Sequence, residues 1–181
     1  LRSQGATVIG INHLGAWGMQ FAKLMLAQEL WGDENTFLET SEGKPVQKLL
    51  KLYVRYHEEA KVDPTLDERA AKLFAKLESG DGESKKLWQR FVDAGLAECQ
   101  EIYQLLQIEF EHLTGESFYN DKMEEVVEKL IASGAATKSE GALVIDLAPH
   151  GMPPFLLKKS DGTTLYATRD LAALLYRQKT Y

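Results

Sequence analysis

Side chains able to do acid–base, metal or nucleophilic chemistry are few in this sequence and widely scattered. Histidines stand at positions 13, 57, 112 and 150. None pairs with carboxylates at metalloprotease spacing, and His57, His112 and His150 read as structural or surface residues. His13 differs. It follows the apolar run Ala6 to Asn12 and opens a loop containing Gly15 and Gly18, so a ligand role and a structural role are both open to it. Cys99 is the single cysteine, which leaves no intramolecular disulfide and no thiolate cluster for zinc. It falls in a helical apolar stripe and reads as core. No Walker-type Gly-Lys-Ser/Thr loop, Gly-x-Gly-x-x-Gly run or Gly-x-Ser-x-Gly elbow occurs. Gly15 and Gly18 alone mark a tight strand-to-helix turn as readily as a phosphate cradle.

Composition bounds what can position these residues. The chain has 181 residues, 44% apolar and 27% charged, which suits one ordinary globular domain or two small ones and excludes disorder and fibrous repeats. No apolar run approaches the roughly 18 residues of a membrane-spanning helix. A formal charge of −6 makes the chain a poor general binder of polyanions. The lone cysteine fits a reducing, cytosolic location. Leu1 opens the sequence with no signal-peptide pattern, as expected of a piece cut from something longer.

Patterning gives an α/β chain. Residues 6–12, with Val8, Ile9 and Ile11, read as a strand covered on both faces, as in a parallel sheet. After the glycine loop at 13–18, residues 19–30 turn helical. Strand, glycine-rich loop and helix make the unit whose ligands sit above the strand's carboxyl end. Helices are expected over 45–59, 64–79 and 83–106, with Pro45 and Pro64 at first helical positions and a break at Gly80-Asp81-Gly82. Residues 108–113 alternate as a strand, 114–119 form a loop, and Asn120 or Asp121 caps a helix that Gly134 ends. Residues 135–147 read strand, turn and strand, and 154–158 as another strand. A tight turn at Asp161-Gly162 and an extended stretch at 164–167 precede a helix over 168–178.

Three ordered segments carry a family resemblance. Ile11-Asn12-His13-Leu14-Gly15-Ala16-Trp17-Gly18-Met19-Gln20-Phe21 resembles the strand–loop–helix segment of arginyl-tRNA synthetases, typically Asn-His/Tyr-x-Gly-Asp-Trp-Gly-x-Gln-Phe-Gly. Thr114-Gly115-Glu116-Ser117 matches that family's Gly-Glu-Ser. The run from Asp161 to Ala172, Asp-Gly-Thr-Thr-Leu-Tyr-Ala-Thr-Arg-Asp-Leu-Ala, is similar to its Asp-Gly-x-x-Leu-Tyr-x-Thr-x-Asp-Leu/Ile-Ala. Two positions depart from the pattern: Ala16 stands where the family usually has Asp, and Ala22 where it has Gly.

The resemblance implies a partial Rossmann-type nucleotide-binding core with a helical and β-hairpin insertion. Core segments would be 1–32, 108–121 and 161–181, with a helical insertion at 33–107 and an α/β insertion at 122–160. It implies an arginine-tRNA ligase, which activates arginine with ATP and Mg2+ and transfers it to tRNA in the cytoplasm, without membrane attachment or a protein-bound metal. Neither of the two ATP-signature turns of class I synthetases occurs in the 181 residues, so the chain alone is expected to be inactive and its catalytic residues remain unassigned. The alternative is a free-standing, non-catalytic homologue that binds an amino acid or a protein. By resemblance Glu116, Tyr166 and Asp170 bind arginine, whose planar guanidinium is best met by carboxylates. Asn12, His13, Gly15, Trp17 and Gln20 would line the active-site cleft. Without the resemblance, Glu116 reads as a solvated loop carboxylate and Asp170 as a cap near a helix start. Tyr166 shares a helix face with Asp170 if residues 166–170 form one turn, or flanks the pocket from the loop if Thr168 caps the helix.

Overall fold

The apolar run at 6–12 forms a strand only at its end. Strand β1 (Ile11–Asn12) pairs in parallel with β2 (His112–Leu113), Ile11 opposite His112 and Asn12 opposite Leu113. The longer strands expected at 6–12 and 108–113 shrink to these two residues each. A parallel ladder persists only while both backbones run side by side, and side chains take over at its edge. The Glu111 carboxylate accepts the Gly10 N–H and pairs with Arg2. Those contacts, the Gly10 N–H foremost, hold its carboxyl below the usual range.

The computed structural model describes residues 1–41 and 43–181, in two units: residues 16–109, and residues 1–15 with 110–181. The first unit is helical, with α1 (Met19–Trp31), α2 (Pro45–Val62), α3 (Thr65–Glu78) and α4 (Gly82–Leu105). Pro45 opens α2 as expected. Pro64 instead stands one residue before α3, where the Asp63 carboxylate accepts the Thr65 N–H at 3.0 Å. Asp81 caps α4 through the Ser84 N–H at 2.9 Å. One apolar cluster joins Leu26 and Ala27 of α1, Tyr56 of α2, and Leu66 and Ala70 of α3. A second joins Met25, Leu49, Leu77 and Phe91. The buried Tyr56 hydroxyl donates to Asp67 at 3.0 Å, and Asp67 also pairs with Lys23 at 2.9 Å, so one carboxylate ties α1, α2 and α3. Burial and that neighbouring charge push the Tyr56 hydroxyl's pKa far up. Lys48, buried on α2, donates to Asn35 O, Leu38 O and Thr40 Oγ1 at 2.7–3.0 Å, which anchors the irregular stretch before the helix. Cys99, expected in the core, is only half-buried.

In the second unit the expected loop after β2 winds into a 3-10 helix, Glu116–Lys122, that runs directly into α5 (Met123–Ala132). The expected Asn120 or Asp121 cap is therefore not made. Asn120 instead accepts the Arg169 Nε–H at 2.8 Å, and Asp121 pairs with Lys122. Strands β3 (Ala136–Ser139), β4 (Ala142–Ile145) and β5 (Phe155–Lys158) form an antiparallel sheet in that order. Glu140 and Gly141 make the β3–β4 turn, both at positive φ (50° and 82°), the twist-matched conformation of two-residue hairpins. Helix α6 (Tyr166–Thr180) starts two residues earlier than expected. The buried Thr168 hydroxyl donates to Leu157 O at 2.6 Å and fastens α6 to β5. Tyr119, Val126, Ala172 and Ala173 form the core between α5 and α6.

Candidate active site

The residues after β1 lie against those after β2. Asn12 is buried, and its carbonyl accepts the Thr114 N–H at 3.1 Å. Two residues on, Leu14 O accepts the Glu116 N–H at 2.9 Å. The backbones approach so closely that a Cβ on Gly115 would lie 2.8 Å from Leu14 O. Gly115 has φ −72°, open to any residue, so it is the contact and not the torsion that requires glycine. This crossing places the Glu116 carboxylate beside Gly15, 3.8 Å from where a Cβ on that glycine would stand. Glu116 is half-buried. Among the described residues its carboxylate makes no hydrogen bond or ion pair.

His13 packs into the same corner. Its Nδ1 lies 3.1 Å from Thr114 O and 3.0 Å from Arg177 Nη2, and its ring sits 5.6 Å from that of Tyr119. Tyr119 is fully buried, and its hydroxyl donates to Thr114 Oγ1 at 3.0 Å. Helix α6 therefore reaches the β1–β2 corner through Arg177. Tyr166, Asp170, Ala173 and Arg177, at i, i+4, i+7 and i+11, lie along one stripe of that helix. Tyr166 and Asp170 share the first turn, and about 10 Å of helix axis separates Asp170 from Arg177 at 1.5 Å per residue. Tyr166 and Asp170 are exposed.

In the helical unit, Trp17 packs edge-on to Trp88, 5.2 Å between ring centroids, and against Phe74. Its Nε1–H is buried without an acceptor among the described residues. Ala16 is buried, and its carbonyl accepts the Trp88 Nε1–H at 2.7 Å. Gln20 is exposed on the first turn of α1. The structure thus gathers Asn12, His13, Gly15 and Glu116 at one corner, sets Tyr166 and Asp170 along the helix that reaches it, and holds Trp17 and Gln20 in the other unit. Sequence reasoning missed Thr114, Tyr119 and Arg177. The only signal for Arg177 was its place on the stripe of Tyr166 and Asp170.

A family model for the catalytic domain of class I tRNA synthetases of the arginine type matches residues 1–181. The chain belongs to that family. Curated relatives include the arginine–tRNA ligase of an Exiguobacterium species, 53% identical over 99% of this chain, and that of Clostridioides difficile, 49% identical over 99%. The chain spans 31% of the length of each. Among solved structures, the arginyl-tRNA synthetase of Plasmodium falciparum superposes with a TM-score of 0.74 at 26% identity, over 96% of this chain and 28% of that one. The Thermus thermophilus arginyl-tRNA synthetase shares the fold, with a TM-score of 0.66 at 23% identity, covering 94% and 29%. As a member of this synthetase family, the chain is an α/β fragment of Rossmann type, with its parallel strands interrupted by a helical unit.

Proposed function

We propose that this chain is the central part of the catalytic domain of a cytoplasmic arginine-tRNA ligase, and that it supplies the arginine pocket. Glu116 carries the reading: a half-buried carboxylate, fixed through its own backbone N–H to Leu14, with no cation paired to it among the described residues. A guanidinium placed there gains charge-assisted bonds without first breaking an existing pair. Asp170 supplies the second carboxylate, and Tyr166 flanks the side chain one helical turn before it. Asn12, His13 and Gly15 line the cleft beside Glu116. The core segments are 1–32, 108–121 and 161–181, and 33–107 and 122–160 are the insertions.

ATP is the co-substrate: the arginine carboxylate attacks its α-phosphorus as the α–β phosphoanhydride bond breaks and pyrophosphate leaves. The protein's part is to hold arginine still and exclude its alternatives. Helix α1 opens on Gly18 with no side-chain cap and no acidic residue in its first turn, an end whose chemistry suits a phosphate. Mg2+ would arrive on the ATP phosphates. Among the described residues no helix is long and apolar enough to cross a membrane. The tRNA is the acceptor in the second half-reaction.

A segment exchange tests this. The matching 31% of the Exiguobacterium ligase is replaced by these 181 residues and ATP–pyrophosphate exchange is measured. Exchange that depends on arginine supports the proposal. A folded chimera with none overturns it.

A further inference from the structure

The Nδ1 atom of His13 has two claimants that it cannot satisfy together. Thr114 O, at 3.1 Å, is an acceptor and needs a proton on that nitrogen. Arg177 Nη2, at 3.0 Å, is always a donor and needs the lone pair. An imidazole nitrogen presents one or the other, so each contact belongs to a different tautomer.

The surroundings decide between them. Arg177 is half-buried, and its Nε–H is already buried without an acceptor. Among the described residues no carboxylate pairs with its guanidinium, and His13 is its one hydrogen-bond partner. A proton on Nδ1 would face that cation and orphan a second charged donor. A lone pair on Nδ1 gives the guanidinium a charge-assisted bond, and those are roughly twice as strong as neutral ones. The cost falls on Thr114 O, and an under-satisfied carbonyl is tolerated better than an orphaned N–H. That carbonyl therefore gives way.

We propose that Arg177 is a positioning residue that fixes His13 in the tautomer with its proton on Nε2. His13 then meets the cleft as a hydrogen-bond donor, matched to an oxygen of the ligand. It does not act there as a proton acceptor. The inference rests on the reading that His13 lines the arginine site, yet the tautomer is measurable without any substrate.

The test is 15N NMR of the imidazole nitrogens in the 181-residue chain, with His13 assigned by the loss of its signals in His13→Gln. The wild-type chain should show His13 protonated on Nε2 over Nδ1 by about tenfold or more, the ratio expected of one charge-assisted bond. Arg177→Met removes the donor and should reverse the preference, with Nδ1–H now donating to Thr114 O. Arg177→Lys keeps a cationic donor and should restore the wild-type tautomer. A wild-type spectrum with the proton on Nδ1 overturns the proposal even if neither Arg177 variant folds. So does an Nε2–H signal that persists in a folded Arg177→Met. Failure of the chain to recognise arginine would leave these spectra unchanged and would count against the proposed function alone.

Discussion

Substituting Gly115 by alanine measures how tightly the β1 and β2 ends are joined beneath Glu116. At φ −72° alanine meets no torsional barrier, so the effect comes from contact alone. The new Cβ would lie 2.8 Å from Leu14 O. That oxygen is backbone and already holds the Glu116 N–H at 2.9 Å, so no flexible side chain can swing aside. One of the two backbones must move by about half an ångström, and overpacking of this kind costs roughly 1–3 kcal/mol. At roughly 2–4 °C per kcal/mol for a chain of this size, the melting temperature should fall by about 2–12 °C. Gly15→Ala is the control. Its Cβ would stand 3.8 Å from Glu116 Oε1, an ordinary contact, and the substitution restricts the unfolded chain, so stability should hold or rise by up to about 1 kcal/mol. Circular-dichroism melts of both variants and the wild type make the comparison. Equal melting temperatures for the two variants, or Gly115→Ala within about 1 °C of wild type, would show that this crossing is not tight.

Glu125 of α5 pairs with Lys179 of α6 and with Lys129, and those lysines lower its carboxyl to about 2. A depressed pKa stabilises the folded state above the unfolded value near 4.5 and loses that effect as pH falls toward 2. The melting difference between wild type and Glu125→Gln should therefore be present at pH 6, shrink between pH 4.5 and 2, and narrow with added salt. Tyr56→Phe removes the hydroxyl that holds Asp67 and should cost about 1 kcal/mol, whereas Tyr56→Ala opens a cavity among α1, α2 and α3 worth about 3–5 kcal/mol; urea unfolding separates the two. The 181-residue chain assayed alone should give only background ATP–pyrophosphate exchange, since neither ATP-signature turn occurs in its sequence.

Long periodic helices were legible from the amino-acid order. The stripe Leu66, Ala70, Leu73, Phe74 and Leu77 located α3 to within a residue at each end, because helical hydrogen bonds are local and burial follows a 3.6-residue period. Strand lengths were not. Val8 and Ile9 have strand-like side chains, but pairing at β1 depends on a partner about a hundred residues away, which meets it for two positions only. The cap on α5 was misplaced for a related reason: Asn120 is taken by Arg169, a tertiary contact that local spacing does not reveal. At the candidate site the sequence motifs singled out Glu116 and Gly15, yet nothing in them revealed that Leu14 O presses on Gly115. The 164-residue separation of His13 and Arg177 hid the contact that ties α6 to the site.

The central claim is that Glu116 and Asp170 read the arginine side chain. Its most direct test is kcat/KM for arginine and for citrulline in the segment-exchange ligase with Glu116→Gln and, separately, Asp170→Asn. Each change keeps the shape and removes one charge, which leaves guanidinium donors poorly paired. The expected loss for arginine is about 2–4 kcal/mol in transition-state binding, or roughly 30- to 900-fold, with discrimination against uncharged citrulline falling in parallel. A change in arginine kinetics below about threefold for both variants would contradict the account.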